Sequence, residues 1–293
     1  MGPNEQLLLI GFIYFLVAGL AYLIIVQKSK NQVSETKFVT EQLLIYVVIS
    51  VCFYFHNYLL SLFAGGILSR SLWELGCLFN GKKPGWLQTA ACLISVIFLF
   101  EYANQLPLIV TILFLILSAI FATSHIKSWL HLSCVLVLCS SLMSILLVSS
   151  TTQAFLFLFL TFILVECFDS ISLIFGKRYG TIRPFKSISA NKTIEGYLCG
   201  FVATCALATV ANSTMTLLPW EKFFSVYFFI VLFGIIGDLF FSYVKRCAGT
   251  KDFPMFMTSQ GGIIDILDSF LIASIANFLI SFFFHDYSFI QFD

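Results

Sequence analysis

Long apolar runs, broken by short clusters of charge, form the dominant pattern along this chain. A membrane-spanning helix needs about 20 consecutive apolar residues. On that measure the pattern predicts helices near 7–27, 42–64, 87–101, 106–122, 129–149, 153–176, 196–218, 222–243 and 263–284. The third and fourth are short for a full crossing, and a re-entrant segment fits either. No long linker, internal repeat or low-complexity block divides the chain, so residues 1–293 read as a single integral-membrane domain. Within it, residues 1–152 supply N-terminal helices with no evident chemistry, and residues 153–284 hold nearly all the motif-like charge.

Composition agrees with this pattern. Hydrophobic residues make up 59% and charged residues 11%, with a mean hydropathy of +0.97. Soluble globules run nearer half apolar and a quarter charged. The expected fold class is an all-α polytopic membrane protein with about nine transmembrane helices. The formal net charge is +1, and no basic tail points to nucleic acid. Nine cysteines are scattered singly, mostly within apolar runs, and no CxxC occurs. They read as small packing residues rather than a zinc site or a disulfide framework. The first apolar run, Leu7 to Val26, lacks a basic leader and a small-residue cleavage site, and reads as an anchor.

Lys and Arg in the loops set the expected orientation. Lys177, Arg178, Arg183, Lys186 and Lys192 lie in one loop, and Lys245, Arg246 and Lys251 in another two spans later. The two loops should share the cytoplasmic face. Counting back places Arg70, Lys82 and Lys83 there too. It places Lys28, Lys30 and Lys37 opposite, against the charge rule unless one early segment fails to cross. Ser71 to Leu75 reads as interfacial, with Trp73 at headgroup depth and Glu74 as a solvated acid, a place facing a site being the alternative. His56, His125, His131 and His285 show no ligand-like spacing.

Two stretches carry candidate chemistry. In 237–269, Asp238, Asp252, Asp265 and Asp268 stand with Lys245, Arg246 and Lys251, enclosed by apolar runs. Charge is costly beside hydrocarbon and usually marks a working site. Asp238, Ser242 and Lys245 share one helix face, as do Asp265, Asp268 and Ser269 on the next helix. Gly249, Pro254 and the pair Gly261-Gly262 punctuate the loop between them. In 166–196, Asp169 lies about 12 Å inside an apolar run at a rise of 1.5 Å per residue. A carboxylate at that depth must meet a cation, a polar cavity or a proton. Glu166 shares its face. Ser189 or Asn191 is placed to cap the next helix, and capped N-termini bind anions. A plain basic cytoplasmic loop is the competing account of this second stretch.

Together the two stretches resemble the phosphatidate cytidylyltransferase family, the CDP-diacylglycerol synthases. That family carries S-x-x-K-R-x4-K-D and, eight positions after the Asp, H-G-G-x-x-D-R-x-D-S. Here Ser242, Lys245-Arg246 and Lys251-Asp252 are followed by Gln260-Gly261-Gly262, Asp265 and Asp268-Ser269 at the same spacing. The family's N-D-x-x-A-Y-x-x-G-x-x-x-G and S-P-x-K-T-x-E-G are echoed by Asp169, Gly176, Gly180, Ser189, Lys192-Thr193 and Glu195-Gly196. The likeness spans about 100 residues of the C-terminal half. It departs where the family His is Gln260, the Arg is Ile266, the Asn is Phe168 and Ala-Tyr is Ser172-Leu173.

The resemblance implies transfer of CMP from CTP to phosphatidate, giving CDP-diacylglycerol and pyrophosphate. It implies catalytic roles for Asp238, Lys245, Arg246, Lys251, Asp252, Gln260, Asp265 and Asp268. Substrate contacts would come from Asp169, Ser189, Lys192, Thr193, Glu195, Ser242, Gly261 and Gly262. Asp238, Asp265, Asp268 and Asp169 would hold Mg²⁺, as two divalent ions or one with a monovalent cation. Carboxylate oxygens and phosphates suit that hard ion. CTP, a lipid phosphate and membrane lipid are the implied partners, with a homodimer as one assembly. The expected location is a bacterial cytoplasmic membrane, with the site on the cytoplasmic side. Another lipid phosphate, a CTP-dependent lipid kinase, a silent lipid-binding relative and an ion-coupled transporter are the competing readings.

Overall fold

The computed structural model describes residues 58–80, 129–148, 152–189, 191–215, 218–256 and 261–283, with further helical positions at 41, 44–48 and 51. Six helices follow in order: α1 Tyr58–Asn80, α2 Trp129–Val148, α3 Thr152–Tyr179, α4 Ile194–Met215, α5 Trp220–Cys247 and α6 Ile263–Phe283. No strand occurs among the described residues. The apolar runs predict α2 to α6 to within four residues at every end. The expected spans 7–27, 87–101 and 106–122 lie outside the described residues.

Among the described residues, four segments are long and apolar enough to cross a membrane: Phe157–Tyr179, Ile194–Thr214, Trp220–Cys247 and Ile263–Ile280. The chain is an integral membrane protein of helical architecture. Helices α3 and α6 form the middle of the bundle, with α2 and α5 against α6 and α4 against α3. Phe162 and Phe270 meet edge to face at 5.4 Å between ring centroids, locking α3 to α6. On α4 and α5, Leu198, Val202, Phe224, Phe228 and Ile236 are exposed. Hydrocarbon around a bundle makes such positions inexpensive, and helices then associate through close packing rather than apolar burial.

That packing depends on small residues at two crossings. A Cβ on Gly196 would lie 2.5 Å from the Ser172 carbonyl oxygen and 3.1 Å from Gly176 Cα. A Cβ on Gly237 would lie 2.5 Å from the Asp268 carbonyl oxygen. Glycine therefore lets α4 press on α3, and α5 on α6, at the end where the acidic residues cluster.

Of the second expected span, 42–64, positions 44–48, 51 and 58–64 are described and all are helical, and α1 continues beyond it to Asn80, so Ser71 to Leu75 lie within that helix. Glu74 is fully buried, not solvated. The charge at Arg70 and Glu74 reads as a loop in a hydropathy window. In the structure Arg70 Nε donates to Glu74 Oε1 at 2.9 Å, an i,i+4 pair within one helix.

Helix ends position the site. Lys245 and Arg246 occupy the last turn of α5, where cations favour the dipole. The chain then reverses through Gly249 at φ +74°. Thr250 N donates to the Lys245 carbonyl at 2.9 Å, and Gly249 N to the Arg246 carbonyl at 3.0 Å. That pair of bonds is a Schellman termination, which glycine in the left-handed region permits. At the start of α4 the cap is Thr193, not Ser189 or Asn191: Gly196 N donates to Thr193 Oγ1 at 3.1 Å. The threonine stands immediately before the first helical residue, where a side-chain oxygen reaches the third amide of the turn.

Candidate active site at one end of the bundle

The tight α3–α4 crossing brings the loop 181–193 back over α3, and Lys192 descends from it between two carboxylates. Its Nζ lies 3.3 Å from Asp169 Oδ1 on α3 and in direct contact with Asp238 Oδ2 on α5. Burial alone would favour the neutral amine, but Asp169 and Asp238 outweigh it and hold Lys192 as an ammonium. The cation required by the deep Asp169 is thus a lysine 23 residues later. Ser269 on α6 closes the cluster from the third side, its Oγ donating to Asp169 Oδ2 at 2.6 Å. Beside it, Asp268 accepts from Ser269 N at 2.7 Å. Asp268 lies within Coulombic reach of Asp238, Lys245, Asp169 and Lys192.

A second group forms where α5 ends and α6 begins. Lys245 Nζ pairs with Asp265 Oδ1 at 2.6 Å, both side chains at most 10% exposed. Asp265 Oδ2 accepts from Phe253 N at 2.8 Å and Gly262 N at 2.9 Å. Asp265 is the third residue of α6, so it reaches back to cap its own helix. The next two amides are taken by Glu74: Ile263 N donates to Oε1 at 2.8 Å and Ile264 N to Oε2 at 3.0 Å. Burial pushes the Glu74 carboxyl up to about 7, against those two amides and Arg70, which lower it.

The other expected site residues take varied places. Arg246 is exposed and ties the two basic loops together, Nε to the Ile188 carbonyl at 3.1 Å and a terminal nitrogen to the Thr250 carbonyl at 3.1 Å. The loops do share one face. Ser242 is buried one turn before Lys245. Glu195 accepts from Thr181 Oγ1 and, at 3.2 Å, from Ile182 N, holding the loop onto the start of α4. Lys251 and Asp252 are exposed on the loop after α5, and Ser189 is half-buried in the loop before α4. Gly261 adopts φ +88°. A Cβ on Gly262 would lie 2.5 Å from Glu74 Oε2 and 2.6 Å from Phe253 Cβ. Gly262 therefore admits Glu74, and its amide is already bonded. Gln260 lies outside the described residues.

Among the described residues, no three acidic, histidine or cysteine side chains form a ready-made ion cage. The reason is visible in the pairing: Lys192 fills the space between Asp169 and Asp238, and Asp265 is turned to Lys245. Even so, four aspartates face two lysines, two more acidic groups than cations. Asp268, Asp238 and Asp169 carry that excess, and hard carboxylate oxygens of this kind suit Mg²⁺.

Sequence reasoning missed Glu74, Arg70 and Ser269 as site residues. Ser269 carried a signal, since it shares the face of Asp265 and Asp268. Glu74 carried little, because its partners are backbone amides far along the chain.

The pattern of the cytidylyltransferase family matches residues 35–284, most of the chain. The chain belongs to the cytidylyltransferase family. Within 105 residues it is 39% identical to phosphatidate cytidylyltransferase 4, chloroplastic, of Arabidopsis thaliana, covering 35% of this chain and 26% of that protein. Over 118 residues it is 36% identical to a phosphatidate cytidylyltransferase of Bacillus subtilis, covering 38% of this chain and 44% of the other. A Helicobacter pylori phosphatidate cytidylyltransferase is 34% identical over 109 residues, 36% and 40% of the two chains. Each match spans less than half the length of the relative.

In this cytidylyltransferase-family chain the departures from the motif have physical counterparts. Phe168 is buried and stacks on Tyr197, ring centroids 5.7 Å apart. Ser172 is buried against the α3–α4 crossing, its Oγ only 2.3 Å from where a Gly200 Cβ would be. Ile266 is half-buried and packs on the hydrophobic core.

Proposed function

We propose that this chain is a membrane cytidylyltransferase that transfers CMP from CTP to a lipid phosphate, phosphatidate first among them, and releases pyrophosphate. The observation that carries this reading is the cluster of half-buried Asp169, Lys192 and Asp238 with buried Asp268 and Ser269, drawn from three helices and one loop. The reaction needs little proton chemistry. A phosphate monoester has a second pKa near 6 and is already an anion at neutral pH. Its oxygen attacks the α-phosphorus of CTP, the new P–O bond forms, and the bond to the β-phosphate oxygen breaks. The barrier is chiefly that of bringing two polyanions together, which preorganised cations lower.

Lys192 is the cation best placed to leave a carboxylate for an incoming phosphate. Arg246 and Lys251, on the exposed rim, supply charge for CTP's outer phosphates. Asp238 and Asp268, with Asp169, would hold Mg²⁺, which when bound neutralises the departing pyrophosphate. Asp265 has both oxygens committed to Lys245 and two amides, so we assign it to holding α6 rather than to the metal. The site lies at the end of the bundle beside the basic loops, which favours the cytoplasmic face, where CTP is available. Nine crossings remain the count the hydropathy pattern favours.

The test is purified protein in lipid bilayers with Mg²⁺, a panel of lipid phosphates and CTP labelled at either the α- or the γ-phosphate. The expected result is α-label in the lipid with pyrophosphate released. Transfer of γ-label would make the protein a lipid kinase. Neither transfer with any lipid would overturn the enzyme reading.

A further inference from the structure

The recognisable motifs all lie in the C-terminal half, yet the first turn of α6 is held from outside that half. Arg70 and Glu74, one turn apart on α1, hold the middle of the connection between α5 and α6 and the first turn of α6. Arg70 Nη2 donates to the Pro254 carbonyl at 3.3 Å and the Met255 carbonyl at 3.1 Å. Its guanidinium lies 4.1 Å from the Trp73 ring centroid and 5.4 Å from that of Phe256. Glu74 takes the amides of Ile263 and Ile264. The loop's neck is closed by Phe256 N donating to the Gly261 carbonyl at 2.7 Å.

We propose that Glu74, fixed by Arg70, is a positioning residue that sets the angle and register of α6 and thereby places Asp265 and Asp268 in the site. The first four amides of a helix have no partner within it. Here Gly262, Ile263 and Ile264 are all satisfied by carboxylates, one local and one from α1. An isolated structural helix would need only its own cap. A buried acid supplied from another helix is the costlier arrangement, because desolvating a carboxylate is unfavourable unless donors surround it. The donors here form a fixed fork: two successive amides point at two oxygens, so rotation of α6 breaks both bonds. Asp265 and Asp268 lie within the next turn and a half, on the element that fork orients. The absence of a Cβ at Gly262 is part of the same device, since any side chain would occupy the position of Glu74 Oε2.

The geometry of Glu74 is independent of the chemistry; its consequence for turnover rests on the cytidylyltransferase reading. Glu74→Gln keeps the volume and one acceptor oxygen, but replaces the other acceptor with an NH2 donor facing a backbone amide. In bilayers, it should retain most of its fold while amide hydrogen exchange accelerates across 261–268 and stays unchanged across 129–148. Turnover of CTP should fall about 10- to 100-fold, as small misplacements of catalytic groups do, with little change in KM for CTP. Arg70→Lys, which keeps the charge but loses the fork, should show the same exchange pattern in milder form. Exchange in 261–268 identical to wild type in both variants would overturn the proposal. So would uniform acceleration across every helix, which marks loss of fold alone. If wild type turns over no CTP, the function fails separately, and the local exchange pattern still decides for or against the positioning role.

Discussion

Lys245 Nζ and Asp265 Oδ1 meet at 2.6 Å across the gap between α5 and α6, in a setting where each side chain is at most 10% exposed. Breaking such a pair from one side strands the other ion, at a cost of about 3–5 kcal/mol. Asp265→Asn should therefore lower thermal stability markedly, whereas Lys245→Met combined with Asp265→Asn should recover a large part of it. Asp238→Asn should lose turnover with a near-native melting temperature, because Lys192 keeps Asp169. A double-mutant cycle by thermal melting in bilayers measures the coupling. Equal melting temperatures for Asp265→Asn and Asp238→Asn would show that Asp265 does not anchor α6.

That contrast also marks what could be read from the residues alone. The apolar runs placed α2 to α6, and the spacing of Asp238, Lys245, Asp265 and Asp268 marked two facing helix surfaces. The depth of Asp169 called for a cation, a polar cavity or a proton. Nothing in the chain named Lys192 as that cation, because the pairing depends on how closely α4 approaches α3 at Gly196. Nor could Glu74 be placed. Its partners are main-chain amides, which every residue but proline carries and no sequence pattern distinguishes. Asp265 shows the same limit: its spacing placed it on one face with Asp268, while its capping bond to Gly262 N became visible only in the folded helix end.

Lys192 bridges Asp169 and Asp238, two of the carboxylates proposed to hold Mg²⁺. Lys192→Met should leave those carboxylates uncompensated and so strengthen stabilisation by Mg²⁺, read as a larger rise in melting temperature on adding the ion. Turnover should fall about 10- to 150-fold, the loss of one charge-assisted phosphate contact. If the variant responds less to Mg²⁺ than wild type, lysine and metal do not share the site.

The Glu74 carboxyl, raised by burial to about 7 from an ordinary 4.5, gives stability a pH dependence of definite sign. Between those values the folded protein binds more protons than the unfolded chain, so this group's contribution is full below pH 4.5 and declines as pH rises through 7. The decline amounts to about 3 kcal/mol. Arg70 and the Ile263 and Ile264 amides, which face Glu74, already lie within that balance. Wild type should lose stability relative to Glu74→Gln as pH rises from 5 to 8. A difference between their melting temperatures that stays constant across that range would show that Glu74 does not titrate there.

Ile266 offers the sharpest test of how this chain manages phosphate charge. It directly follows Asp265, is half-buried against the core, and stands where the resembling motif has arginine. With four aspartates and two lysines nearby, a guanidinium at this position would add a third cation. Ile266→Arg should therefore make turnover less steeply dependent on Mg²⁺, since less of the compensation has to come from the ion. The same change removes apolar packing and sets a charge beside the core, so its melting temperature should fall by an amount typical of core disruption, about 1–3 kcal/mol in stability. Ile266→Met separates the two effects, because it conserves apolar volume at a cost below about 1.5 kcal/mol and adds no charge. Its Mg²⁺ dependence should match wild type. Titrating Mg²⁺ at fixed CTP for all three proteins checks the claim. A Mg²⁺ profile for Ile266→Arg that overlays that of Ile266→Met would mean that position 266 only packs the helix and has no part in balancing charge at the site.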